Sequence, residues 1–321
     1  MFTKTFFKLF PPPKFLNEPY AGIDISDGAV RCIQLAPGRG KSGKNGNRVV
    51  EKYGLRLLPP GIVEAGFVKD KAKLIAVVAE LARELNLDRV RSSLPEEEMY
   101  IFKASVPMKA DRKTMAQTIE FKIEENVPLS AADAIFYFDT IPGTESPSTG
   151  TISTGVAVAP RKVVETYLDV LTGAGLTVIS FEMQARALAR AFMKKDHTSE
   201  TVLIVYILKH KIGMYVIYDN VACFTSTIPR GDDIASSVSI ETQKICDYWA
   251  ERGEGRKEID RIILSGQDAL LPDLPHRIVS TPSIHADIAN VWGNVFSGDS
   301  YIPPIPADEA LDYAVAVGLA L

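Results

Sequence analysis

The stretch Tyr20-Ala-Gly-Ile-Asp-Ile-Ser-Asp-Gly-Ala-Val-Arg-Cys-Ile-Gln-Leu35 decides how the rest of this 321-residue chain is read. An apolar strand carries a single acid, Asp24, turns through Ser26, Asp27 and Gly28, and resumes at Val30 with apolar and polar residues alternating. Two readings fit. Asp-Gly is a common hairpin turn pair and needs no ligand. The same turn also offers backbone N–H groups and a hydroxyl to an anion, with Asp24 placed to hold a metal-bound water.

Composition bounds the rest. Hydrophobic residues make up 46% and charged residues 24%, with a formal net charge of -4. That balance suits a globular chain with a large core and argues against nucleic acid as a partner, which needs a concentrated basic face. Cys32, Cys223 and Cys246 are far apart and odd in number, so neither a disulfide framework nor a zinc spacing is expected. Few histidines argue against a metal site, and cysteine usage points to the cytosol. No apolar run is long enough to span a membrane. The leader Met1–Phe10 is basic and aromatic, too short for a signal peptide, and stopped by Pro11-Pro-Pro13.

Outward from the hairpin, Gly40-Lys41-Ser42 lacks the earlier glycine of a phosphate-binding loop, because Leu35 stands there. A third strand over 49–58 and a helix over 70–85, with Leu74, Val78 and Leu81 on one face, complete a first unit. Glu96-Glu97-Glu98 reads as a solvated turn. Residues 99–177 form a β-α-β-β-α-β series long enough for a small α+β unit. Its first helix starts at Asp111 and carries Met115, Ile119, Ile123 and Val127 at a four-residue period. After a helix over 184–193 and the polar link 194–200, strands over 202–208, 212–218 and 221–228 repeat the opening layout. The expectation is a duplicated α/β fold. Its final helix, 307–321, is apolar enough to pack inside the second half.

The motifs in order are specific. They run Gly22-Ile-Asp-Ile-Ser, Val30-Arg31, Ser93-Leu-Pro95, Glu124-Glu-Asn-Val-Pro128, Gly173-Ala-Gly-Leu176, Ile228-Pro-Arg-Gly-Asp-Asp233, Ile263-Leu-Ser-Gly266 and Tyr313–Leu321. Together they resemble the PilM family of type IV pilus assembly proteins, in the FtsA/PilM branch of the actin-like ATPase superfamily. The resemblance implies an actin-like (ribonuclease H-like) α/β fold with an inserted SHS2-like α+β subdomain. It divides the chain into 1–98, the insert 99–177, a return helix within 178–200, and a second half 201–321 whose cap region at 229–257 is shortened. It also implies a scaffold at the cytoplasmic face of the inner membrane. That scaffold grips the N-terminal tail of a PilN-like bitopic membrane protein in a groove between the first subdomain and the insert. Pilus assembly ATPases and further copies of the chain are additional partners it allows. Ile119, Ile123 and Val127 are then either the insert's core or the floor of that groove.

Against the family's nucleotide motifs the chain departs three times. Asp24, Ser26, Asp27 and Gly28 occupy the first phosphate turn, but Asp27 adds negative charge where phosphates would lie. At the second turn Tyr206 stands in place of an acid and Leu208 in place of a glycine, followed by Lys209 and His210. The adenosine loop keeps one glycine, Gly266. Hydrolysis needs a placed water and a neutralised γ-phosphate. The expectation is a pseudo-ATPase with no catalytic residue, no metal and no required cofactor, ATP with magnesium being disfavoured. Two alternatives remain: a nucleotide-switched ATPase of the same complex, and an FtsA-like polymerising protein at the membrane. A chain closing at a buried helix lacks the C-terminal amphipathic anchor of the latter.

Overall fold

The computed structural model describes residues 19–38, 48–194, 200–251, 258–278, 284–296 and 301–321. The leader Met1–Phe10, the Gly40-Lys41-Ser42 stretch, most of the 194–200 link and the turn after Glu251 lie outside them.

The opening stretch forms the expected hairpin, β1 (Ala21–Ser26) and β2 (Ala29–Pro37), with Ser26 paired to Ala29. The third strand, β3 (Arg48–Leu57), adds antiparallel to β2. A short hairpin of β4 (Val63–Glu64) and β5 (Phe67–Val68) leads to α1 (Lys71–Glu84). Asp70 caps α1 by accepting the Lys73 N–H at 3.0 Å, satisfying one of the helix's free donors. Leu74, Val78 and Leu81 are its buried stripe. β6 (Arg89–Leu94) then enters parallel to β1.

The insert has its own antiparallel sheet, ordered β7-β9-β8, from β7 (Tyr100–Pro107), β8 (Ala134–Thr140) and β9 (Thr151–Pro160). One face is covered by α2 (Arg112–Asn126), capped by Asp111 through the Thr114 N–H at 2.8 Å. Ile119 and Ile123 are 0% exposed and Val127 6%, packed with Ala104, Val106, Phe138 and Val156. They are core.

The next two elements differ from expectation. α3 (Arg161–Gly173) and β10 (Thr177–Met183) read as the end of the insert's series, yet β10 pairs in parallel with β6. The first sheet is therefore β10-β6-β1-β2-β3, and Tyr167, Val170 and Leu171 of α3 lie in its core. Periodicity identifies the face an element buries but not the sheet that receives it.

The second half begins after α4 (Gln184–Phe192) with β11 (Thr201–Ile207), β12 (Lys211–Tyr218) and β13 (Val221–Pro229). α5 (Ile234–Glu251), β14 (Arg261–Ser265), α6 (Leu274–Ile278) and β15 (His285–Ile288) follow. The sheet order β13-β12-β11-β14-β15 repeats the first sheet strand for strand: three antiparallel strands, then two added in parallel. The duplication read from the sequence is real.

The final helix is neither continuous nor confined to the second half. It breaks into α7 (Ala307–Ala310), a tight turn at Leu311–Tyr313, and α8 (Ala314–Ala320). The break coincides with carbonyls used elsewhere: Ser265 Oγ donates to Leu311 O and the Tyr206 hydroxyl to Asp312 O, both at 3.2 Å. α8 lies between α4 and strands β1, β2 and β6 of the first sheet. Gly22 and Gly318 make this possible. A methyl group on Gly22 would fall on the Ala316 carbonyl, and one on Gly318 on the Ala187 carbonyl.

Candidate functional site

The β1–β2 turn of the first half and the β11–β12 turn of the second border one cleft of about 540 Å³, the position expected for paired phosphate turns. Ser26, Asp27 and Gly28 line it, and Asp24 and Gly266 lie behind it.

Asp24 is fully buried in the first sheet. Its Oδ1 accepts from Ser93 Oγ at 2.6 Å and from Gln184 Nε2 at 3.1 Å. Gln184 in turn accepts from the Tyr215 hydroxyl at 3.4 Å, which carries the network into the second half. Ser26 Oγ donates to Ala29 O and accepts from Arg31 Nη1, both at 3.1 Å. Asp27 turns away from the cleft's centre. Its two oxygens accept the N–H groups of Ala65 and Gly66, at 2.8 and 3.1 Å, and so clamp the β4–β5 hairpin. Gly28 faces the second turn: a Cβ there would make ordinary contact, at 3.7 Å, with the aliphatic stem of Lys209.

On the opposite wall Tyr206 is 0% exposed and Leu208 7%. Burial, reinforced by the Asp24 charge, pushes the Tyr206 phenol well above its ordinary pKa, so it stays a neutral donor to Asp312 O. Lys209 and His210 are exposed, as expected of flexible charges on a turn. Gly266 has φ +91 and packs on the Ile207 backbone so closely that any Cβ would overlap the Ile207 carbonyl. Its glycine is demanded by backbone contact.

Three participants escaped the sequence reading. Arg31 points from β2 into the cleft and lies 3.8 Å from Asp312 Oδ2. Burial alone lowers its pKa, but Tyr206, Asp24 and Asp312 outweigh that and hold it above the ordinary value. The sign available was a charged residue inside an otherwise apolar strand. The second and third are Glu96 and Glu97, read as a solvated turn. Glu96 is 5% exposed, accepts the Ala185 N–H at 2.8 Å, and has its pKa pushed by burial up to about 7. Glu97 pairs with Lys211 of β12. Glu96 is buried and Glu97 largely covered because the run follows directly on β6 and meets α4 and β12, which lie far away in sequence.

Duplicated sheets, facing turns and an inserted antiparallel sheet define the class: an actin-like ATPase fold. The profile described as type IV pilus assembly protein PilM matches residues 22–237, and the chain belongs to that family. A solved PilM-PilN type IV pilus biogenesis complex matches at 16% identity with a TM-score of 0.74, covering 94% of this chain and 97% of that one. Two more distant structures share the fold at a TM-score of 0.51. The ethanolamine utilization protein EutJ from Carboxydothermus hydrogenoformans is 13% identical, with 97% of this chain and 90% of that one covered. The cytoplasmic domain of EpsL, an inner-membrane component of the type II secretion system of Vibrio cholerae, is 12% identical, with 92% and 94% covered. No curated protein matches the chain. Among the described residues no helix is long and apolar enough to cross a membrane.

Proposed function

We propose that this PilM-family chain is a nucleotide-independent adaptor in type IV pilus assembly. It sits at the cytoplasmic face of the inner membrane and holds the N-terminal tail of a PilN-like membrane protein. The tail lies between the first subdomain and the insert.

The observation that carries this reading is that the cleft between the halves is bridged by the chain's own groups. Arg31 and Asp312 face each other where a nucleotide's metal and phosphates would need room, and Tyr206 fills the second acidic position. Charge agrees with this. The cleft-lining cations Arg31, Lys209, Lys211 and Arg230 are matched in number by Asp27, Asp268, Glu309 and Asp312. Arg230 is already paired with Asp268 at 2.8 Å. Phosphoryl chemistry relies on surplus positive charge and a placed water. On this reading ATP with magnesium is disfavoured, and no catalytic step is assigned to these residues.

Isothermal titration of the full chain with ATP and Mg²⁺, beside titration with a PilN-like tail peptide, tests the reading. Tail binding without nucleotide heat, unchanged by added ATP, is the expected result. Micromolar ATP binding followed by phosphate release would favour the nucleotide-switched alternative.

A further inference from the structure

We infer that the free edge of the first sheet is a self-association surface, on which β3 of one copy pairs antiparallel with β3 of a second about Leu55.

Strand β3 ends the order β10-β6-β1-β2-β3, so among the described residues one side of its backbone has no strand partner. Its beginning is covered, since Arg48 N–H donates to Val295 O at 2.8 Å and the Tyr301 hydroxyl to Val50 O at 3.4 Å. Beyond Glu51, among the described residues, no backbone group of another segment is bonded to this edge. The side chains there alternate: Lys52, Gly54 and Arg56 are half-buried on the α1 side, whereas Tyr53, Leu55 and Leu57 are 41%, 38% and 73% exposed. Natural edge strands discourage pairing with outward charges, proline or bulges. Here the exposed row is aromatic and aliphatic, on the sheet face where Leu55 and Leu57 border the cleft and the Tyr53 ring meets Tyr313 edge to face.

Hydrogen-bond direction fits as well. Leu58 N–H bonds to Gly28 O, inward to β2. Alternation along an antiparallel ladder therefore turns the N–H and C=O groups of Leu57, Leu55 and Tyr53 outward. The backbone donors and acceptors that a new strand needs belong to the residues whose side chains form the apolar row.

The occupant follows from register. With Leu55 on a two-fold axis, Leu55 meets its own copy and Tyr53 meets Leu57, an aromatic–aliphatic cross-strand pair on each side. On the other face Arg56 meets Gly54, whose missing side chain leaves space for the guanidinium. Lys52 meets Leu58. No like charges oppose each other. Shifting the axis to Gly54 would set Lys52 against Arg56, so one register is favoured over its neighbour. The remaining guard is Arg56, whose Nη1 donates to Leu55 O at 3.0 Å. It must swing aside, and its partners Glu80 and Glu84 can hold it there.

Sedimentation equilibrium on the full chain should show concentration-dependent dimers. Leu55→Lys, which places two like charges on the axis, should return the chain to monomer with its melting curve unchanged. Register is read by a short bis-maleimide cross-linker, with the unsubstituted chain as control for Cys32, Cys223 and Cys246. Leu55→Cys copies should couple to each other. Leu57→Cys copies should not, because their side chains lie roughly 13 Å apart at about 3.3 Å per residue. A mixture of Tyr53→Cys and Leu57→Cys should couple. The inference is overturned by a strictly monomeric chain, or by equal self-coupling at 55 and 57. A monomer that instead captures an added extended apolar peptide along β3 would also overturn it, and would assign the edge to a foreign strand.

Discussion

The guanidinium of Arg31, on the second strand of the first half, stands 3.8 Å from the carboxylate of Asp312, in the turn between α7 and α8 of the second half. Arg31 also donates to Ser26 and shields the buried Asp24, so one side chain serves both halves. Arg31→Met should therefore cost about 2 kcal/mol in urea unfolding, below the ~3–5 kcal/mol of a fully buried pair because Asp312 is 27% exposed. Asp312→Asn should cost less, since the hydroxyl of Tyr206 bonds to the main chain there and not to the carboxylate.

Glu96 makes stability depend on pH. Its folded-state pKa is about 7 against an ordinary 4.5, because burial penalises the charged form. Between those values the native state holds a proton that the unfolded chain has lost. Stability is then greatest below pH 4.5 as far as this group is concerned, falls as pH rises toward 7, and levels off above. The span is at most about 3.5 kcal/mol, at ~1.4 kcal/mol per pH unit. Glu96→Gln should flatten this part of a stability–pH profile and gain on the parent at pH 8. An unchanged slope would show that Glu96 titrates normally.

Gly318→Ala and Gly22→Ala should each destabilise by roughly 3 kcal/mol or more, as overpacking against a fixed backbone does. In both cases the intruding methyl meets a carbonyl oxygen and not a flexible side chain. Thermal melts of the two variants beside Gly143→Ala separate this from backbone conformation. Gly143 has φ +76 with nothing near its missing Cβ, so its cost should be only the smaller one of a left-handed alanine.

Ile123→Ala, at a 0% exposed position, should lose about 2–5 kcal/mol as a core truncation. Phe121→Ser on the same helix, 84% exposed, should leave stability within about 0.5 kcal/mol. Tail-peptide affinity measured where both variants remain folded separates core from groove. Equal affinity for Ile123→Ala and parent would confine that residue to packing.

Local structure was legible because its signals are local. Asp70 and Asp111 sit where helix caps belong, the stripe through Ile119 and Ile123 marks a buried face, and Asp24 to Gly28 form the turn their residue types suggest. Partner choice was not. Nothing in residues 177–183 says that they will lie beside β6, and an apolar 314–320 suits either half. Three consecutive glutamates resemble solvent-facing charge until Ala185 and Lys211 arrive from elsewhere in the chain. At the cleft, residue identities flagged a lost nucleotide motif, but the cross-half contact between Arg31 and Asp312 needed coordinates.

The placement of α8 has a consequence for how the protein is made. Ala21 and Ile23 belong to strand β1, yet the helix that closes over this strand spans Ala314–Ala320. Everything from β1 to residues 314–320 must be synthesised before the first sheet is sealed. The first half is thus not an independent folding unit during translation, and a product that stops before residue 314 would present an open apolar sheet to chaperones and proteases.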